Sequence, residues 1–236
     1  MTSRLRSGLI PRRQRGVELL DDPAADAALA TRSLRDVALA NRLFGGTAAV
    51  LASLEPIWTL APESTSLLDV GTGAGDIPER VRAAAARHGV RLETIGIERT
   101  FTVAAAARAK AGLVFVADGL ALPLPDRSVD LVTCSQMLHH FEDPAATLLL
   151  REMHRVAKRL VVVADLRRSW AAAAGIWTAS FALGFHPVSR HDGVLSVFRG
   201  YCGAELASLV EQAVGVVPTV RNRPGFRITA CWHPQQ

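Results

Sequence analysis

The chain has 236 residues and is poor in several residue types whose abundance would define a class. Its three cysteines, Cys134, Cys202 and Cys231, are odd in number and far apart. Neither a disulfide framework nor a metal-ligand spacing is expected from them, which fits a reducing cytoplasm. Only Lys110 and Lys158 are lysines among 27 basic residues, and there is one tyrosine. Five arginines (Arg4, Arg6, Arg12, Arg13, Arg15) crowd the first sixteen residues without an acid, so the net charge of +5 resides there and the rest sums to zero. A neutral body argues against a surface that tracks phosphate backbones, and no Asn-Pro-Pro-Tyr-type run is present to grip a flat base. No nucleic-acid partner is expected. The longest apolar run, Trp170–Phe185, falls short of the roughly 20 residues that span a bilayer. No apolar signal core follows the N-terminal arginines, so a soluble, cytoplasmic protein without a membrane span is expected.

Hydrophobic residues make up 49% of the chain, enough for one large globular domain. Residues 1–22 read as a flexible Arg-rich leader, and 23–62 as two helices over the ligand edge, an N-terminal helical lid. Ser33 is the expected cap of the first helix, whose Leu34, Val37 and Phe44 share a stripe that ends at Gly45-Gly46. Thr47 is the expected cap of the second, Ala48–Leu60, bent at Pro56. From residue 63 strands and helices alternate. Strands are predicted at Leu67–Val70, Leu92–Ile97, Leu113–Val116, Val129–Thr133 and Leu160–Ala164, with helices at Glu79–His88, Phe101–Ala111 and Ala145–Ala157. Such alternation predicts an α/β fold, a parallel sheet with helices on both faces. After a helix at Ala204–Val214, the stretches Val216–Arg221 and Phe226–Trp232 are joined by only four residues, Asn222–Gly225. That link makes an antiparallel hairpin, so one reversed strand is expected near the C-terminus.

The run Leu67–Pro78, LLDVGTGAGDIP, takes an apolar strand into a glycine loop and then a helix. Ligands of open α/β sheets collect at the carboxyl ends of strands. Glu98 closes the second strand, placed to accept from ribose hydroxyls, and Asp118 with Gly119 and Leu120 follows the third, placed to receive an exocyclic amine. The loop spacing is G-x-G-x-G (Gly71, Gly73, Gly75) and not the G-x-G-x-x-G of pyrophosphate binders. Asp69 and Asp76 flank it and disfavour a phosphate at the helix start. They suit an adenosine with a cationic sulfonium and ammonium, which is S-adenosylmethionine.

These motifs, with LPLPDRSVDLVTCSQMLHHF (Leu122–Phe141) and LREMHRVAK (Leu150–Lys158), resemble class I S-adenosylmethionine-dependent methyltransferases over about residues 60–165. The subgroup it is most similar to contains the ubiquinone/menaquinone C-methyltransferase-like (type 11) small-molecule enzymes. The resemblance implies a Rossmann-like seven-stranded sheet. It also implies cofactor contacts from Asp69, Gly71, Thr72, Gly73, Gly75, Glu98, Arg99, Asp118, Gly119, Leu120 and Ser135 or Gln136. Arg42, beside Asn41, is placed to reach the cofactor carboxylate from the lid. The family's Pro-Gly-Gly turn before strand five is replaced here by His154–Leu160.

Methyl transfer from a sulfonium needs an aligned nucleophile, exclusion of water and, for a phenol or enol, a base. His139 and His140 after strand four are the candidates, His139 first. The polar run from His186 to Gly193, with Arg190, His191 and Asp192, follows the apolar helix as a loop. Within a substrate-covering insertion of about residues 166–202 it is read as substrate-facing, roofing a phenolic, quinone or polyketide-type molecule. Asp165, at the end of strand five, either faces the same pocket or caps the next helix. Two other classes compete: a nucleic-acid or protein methyltransferase, and a fold that binds S-adenosylmethionine without methyl transfer. A homodimer is left open.

Overall fold

The computed structural model describes residues 10–16, 18–19 and 27–234. Seven strands form one sheet: β1 (Ser64–Val70), β2 (Arg91–Glu98), β3 (Leu113–Val116), β4 (Val129–Ser135), β5 (Ala157–Leu166), β6 (Thr219–Arg223) and β7 (Arg227–Trp232). Their spatial order is β3-β2-β1-β4-β5-β7-β6. The first five pair in parallel, and β7 runs antiparallel to both β5 and β6. The expected α/β fold with a single reversed strand is therefore what forms. Strand order reverses between β1 and β4, and that switch point opens the crevice in which doubly wound sheets bind ligands.

Among the described residues, eight helices surround the sheet: α1 (Ala27–Leu43), α2 (Gly46–Leu54), α3 (Asp76–Arg87), α4 (Phe101–Ala111), α5 (Asp143–Val156), α6 (Trp170–Ala182), α7 (Pro187–Arg199) and α8 (Gly203–Val214). Alternate side chains of the strands feed two cores, as the two-residue strand period dictates. Leu68, Val70, Val132, Val161 and Val163 pack with Leu149, Leu150 and Met153 of α5 and Leu206 and Val210 of α8. On the other face Leu67, Leu131, Leu160 and Val162 pack with Ala49, Val50 and Leu54 of α2 and with Ile77 and Val81 of α3. Helix α5 passes directly into β5, with no intervening turn.

Several local expectations are corrected. Ser33 lies inside α1, where it accepts a hydrogen bond from the Ser189 hydroxyl at 3.3 Å and caps nothing. Helix α2 starts after Gly45, whose φ of 78° only glycine adopts cheaply, so Thr47 is not its cap. Pro56 sits in a separate 3-10 turn, Glu55–Ile57. Val37 is 45% exposed, because α1 leans on α2 and α7 and its expected stripe is not buried there. Helix α2 is a core helix, so only α1 stays available as a cover for the ligand edge. The hairpin turns at Pro224–Phe226, one residue later than its expected end. A side chain on Gly225 would bring a Cβ within 2.1 Å of the Phe44 carbonyl oxygen, which locks that turn against the α1–α2 junction.

The leader is also corrected over residues 10–16. Arg13 stacks on the Tyr201 ring at 4.0 Å and donates to the Tyr201 hydroxyl, the Arg199 carbonyl and Asp143. A planar guanidinium with five donors can satisfy all of these at once. The remainder of 1–22 lies outside the described residues, apart from Glu18 and Leu19. Among the described residues, no single helix is long and apolar enough to cross a membrane.

Candidate active site

The glycine loop is fixed by backbone bonds to β2: the Gly71 and Thr72 N–H groups both donate to the Ile97 carbonyl, at 2.9 and 3.0 Å. Gly96 has no side chain to push Thr72 away, since a Cβ there would lie 2.8 Å from Thr72 Cγ2. Gly73 adopts φ 55°, and a Cβ added to it would meet nothing within 4 Å, so the loop presents open space at its crest. The Glu98 carboxylate accepts from the N–H groups of Gly73, Arg99 and Thr100. It ties the loop to the end of β2 and keeps lone pairs open to a further donor. The Arg99 side chain is exposed. Asp118 accepts from the Leu120 N–H at 2.9 Å, an aspartate turn just past β3 that leaves Gly119 buried behind it. Met137 lies across Gly71 and Gly119, whose missing side chains leave it room.

Asp69 is 2% exposed and accepts from the Thr133 hydroxyl at 2.7 Å. Burial pushes its pKa up to about 7, against the opposing effect of that hydrogen bond. Burial likewise raises the pKa of Asp76 at the start of α3. Two carboxylates held against their desolvation at a glycine loop favour a cationic ligand over a phosphate. Gln136 follows β4 in the left-handed region, φ 52°, and its amide donates to the Asn41 side chain. The lid residue beside the glycine loop is therefore Asn41, which also bonds Asp76, whereas Arg42 is exposed. The buried hydroxyl of Ser135 has no hydrogen-bond partner among the described residues, as expected of a group left for a ligand. The residues present therefore fit an adenosine with a cationic methionine end.

At the next strand ends stands a second, more deeply buried group. His139 is 3% exposed and its Nδ1 lies 2.6 Å from Asp165 Oδ1, while its own N–H donates to Asp165 Oδ2 at 3.0 Å. Asp165, at the carboxyl end of β5, is 1% exposed. Burial pushes its pKa up, but the His139 ring and the hydrogen bonds from His139 and Leu166 outweigh that and hold it below the ordinary carboxylate value. His140 stacks on His139 with ring centroids 4.3 Å apart. Glu18 reaches both rings from the N-terminal segment, 3.7 Å from His139 Nε2 and 3.9 Å from His140 Nε2. Arg199, at the end of α7, donates to the carbonyls of both histidines and faces Glu18 at 3.4 Å. Sequence reasoning named Asn41 with Arg42 but missed Glu18 and Arg199, for which the sequence carries no local signal.

The cluster expected to face substrate is only partly where it was placed. His186 to Gly193 is not a loop: Pro187 sits in the first turn of α7 and the His186 ring accepts from the Val188 N–H as its cap. Arg190 stacks on Phe181 at 3.5 Å and donates to the Phe185 carbonyl, so it closes the α6–α7 hairpin. His191 is exposed. Asp192 is buried and accepts from the N–H of Leu19, the residue after Glu18.

Comparison with known proteins agrees with this geometry. Residues 68–163 match the Methyltransf_11 family, described as "Methyltransferase domain". An uncharacterised methyltransferase of Schizosaccharomyces pombe is 30% identical over 152 residues, which are 61% of this chain and 57% of that protein. The chain thus matches little more than half the length of that curated relative. A SAM-dependent methyltransferase of Aquifex aeolicus superposes with a TM-score of 0.59 at 19% identity, over 86% of this chain and 97% of the other. The magnesium protoporphyrin IX methyltransferase of Synechocystis with bound SAH gives 0.53 at 14%, over 91% and 90%. These likenesses carry the fold, and the family match carries the domain. Residues 68–163, with their glycine loop and their acids at the ends of β2 and β3, match a methyltransferase domain, and the chain has the fold of S-adenosylmethionine-dependent methyltransferases.

Proposed function

We propose that this protein transfers a methyl group from S-adenosylmethionine to oxygen or carbon of a small phenolic, quinone or polyketide-type molecule. The observation that carries this reading is the buried His139–Asp165 pair at the ends of β4 and β5, beside the cofactor crevice. Gly71, Gly73, Gly75 and Ser135 hold the methionine end, with Asp69 behind them, Glu98 the ribose, and Asp118 with Gly119 the adenine. The bound cofactor supplies an electrophilic methyl group on a sulfonium. Asp165 holds the His139 ring by Nδ1 and leaves Nε2, on its Glu18 side, to take the acceptor's proton. Helices α6 and α7 cover the acceptor and exclude water. The neutral body and the depth of the pair favour a small acceptor over a nucleic acid or a protein.

The test is a complex with S-adenosylhomocysteine, followed by assay of phenolic and quinol acceptors for release of S-adenosylhomocysteine. Binding of the cofactor with no product from any acceptor class would favour the binding-only reading. Binding of NAD in place of S-adenosylmethionine would overturn the assignment.

A further inference from the structure

Glu18, His139 and His140 bring one carboxylate oxygen and two imidazole nitrogens within 4.8 Å of one another. The gaps from Glu18 to the two Nε2 atoms, 3.7 and 3.9 Å, are too long for hydrogen bonds. The first runs from Glu18 Oε1 and the second from Oε2, and each leaves room for an ion bound at about 2.0–2.1 Å. His139 Nε2 is buried with no hydrogen-bond partner among the described residues, and it points into this gap.

The outer contacts are those of a ligand set. Asp165 binds His139 through Nδ1, which fixes the tautomer that leaves Nε2 free to coordinate, the carboxylate–histidine–metal arrangement. The Glu18 carboxylate is itself held, by the Ser196 hydroxyl at 2.6 Å and by Arg199 at 3.4 Å, both on Oε1. Arg227 stands toward Asp165 as well. Two guanidiniums offset the two carboxylates, so the seat lacks a large negative charge. Imidazole and carboxylate donors together select zinc, cobalt or nickel over magnesium or calcium.

We propose that Glu18, His139 and His140 form a binding site for a divalent transition-metal ion, with its open coordination position toward the acceptor. This departs from the sequence expectation of no metal, because the ligands come from segments far apart in the chain. It deepens the proposed function. A bound ion would supply Lewis acidity toward an acceptor hydroxyl, and His139 would then serve as its ligand in place of a free base.

The test uses the full chain stripped with EDTA, without S-adenosylmethionine, titrated with zinc by calorimetry and with cobalt by visible absorption. Expected is one ion per chain at micromolar affinity, and a four- or five-coordinate cobalt spectrum. Glu18→Gln and His140→Ala each leave the His139–Asp165 pair in place and are expected to lower affinity about a hundredfold, and Asp165→Asn by about tenfold or more. No zinc binding, or affinity unchanged in both Glu18→Gln and His140→Ala, overturns the site. Full methyl transfer by the EDTA-stripped chain removes its catalytic part. Metal binding without methyl transfer to any acceptor sinks the proposed function and leaves the site standing.

Discussion

His139 and Asp165 are joined twice, ring to carboxylate at 2.6 Å and peptide N–H to the second oxygen at 3.0 Å, so the aspartate fixes backbone and ring together. Asp165→Asn breaks the charge-assisted ring contact while keeping the shape. Turnover is expected to fall by about a hundredfold, the scale of positioned proton transfer, with cofactor affinity unchanged. His139→Ala is expected to fall similarly. Steady-state kinetics beside calorimetry of S-adenosylhomocysteine binding separate the two effects, and unchanged turnover in either variant removes the pair from the chemistry.

Glu98 fastens the crest of the glycine loop and is the group proposed to hold the ribose. Glu98→Ala therefore frees the Gly73, Arg99 and Thr100 N–H groups in one step. A loss of about 2 kcal/mol, near thirtyfold in cofactor affinity, is expected from one charged hydrogen-bonding group. Asp118→Ala should weaken binding less, because its present partner is local to the turn. Equilibrium binding of S-adenosylhomocysteine to each variant checks the ranking.

Asp69 makes stability depend on pH in an unusual direction. Its folded pKa of about 7 lies above the ordinary 3.8, so the folded state holds the proton more tightly than the unfolded one. That advantage is full below the ordinary value and is lost as pH rises through about 7, a change of roughly 4 kcal/mol. The groups with lowered pKa, Asp165, Glu152, Glu205 and Asp130, act at the acid end instead. Urea midpoints of the apo protein should fall between about pH 5 and pH 8, and Asp69→Asn should flatten that slope. A slope that persists in the variant would assign it elsewhere.

Arg168 is 5% exposed and donates to the Pro11 carbonyl, the Gly200 carbonyl and Glu205, at 2.7, 2.6 and 2.6 Å. Arg168→Met leaves two buried carbonyls without donors and is expected to cost about 3 kcal/mol. The loss should appear as a lower urea midpoint with an unchanged slope. It should also expose the 10–16 segment to protease, since Pro11 is held by that guanidinium.

The strand-end part of the candidate site was legible because its parts are local. Asp69, Glu98 and Asp118 each end or follow a strand whose apolar run is visible in the sequence, and adjacent parallel strands bring those ends together. The same holds for the single reversed strand, since a four-residue link permits little else. What was not legible depends on long-range contacts. Glu18 meets His139 only after the sheet has formed and α7 has laid Ser196 and Arg199 beside it. The stretch from His186 reads as a loop because its residues are polar. Yet Pro187 in the first helical turn and the His186 cap were a local helix start that composition obscured. Ser33 and Thr47 show the converse, in which two good capping residues lie inside helices whose ends were set by packing and by Gly45.

Among the described residues, Glu18 of the N-terminal segment reaches the His139 ring, whereas the bonds that hold the glycine loop come from Ile97 and Glu98. The two ends of the candidate site are therefore held by different parts of the chain. Clipping the chain ahead of α1 should leave a protein that still captures S-adenosylmethionine yet has lost its grip on the acceptor end. Proteolysis, or a partner that peels Arg13 off Tyr201, would turn such a catalyst into a cofactor sink.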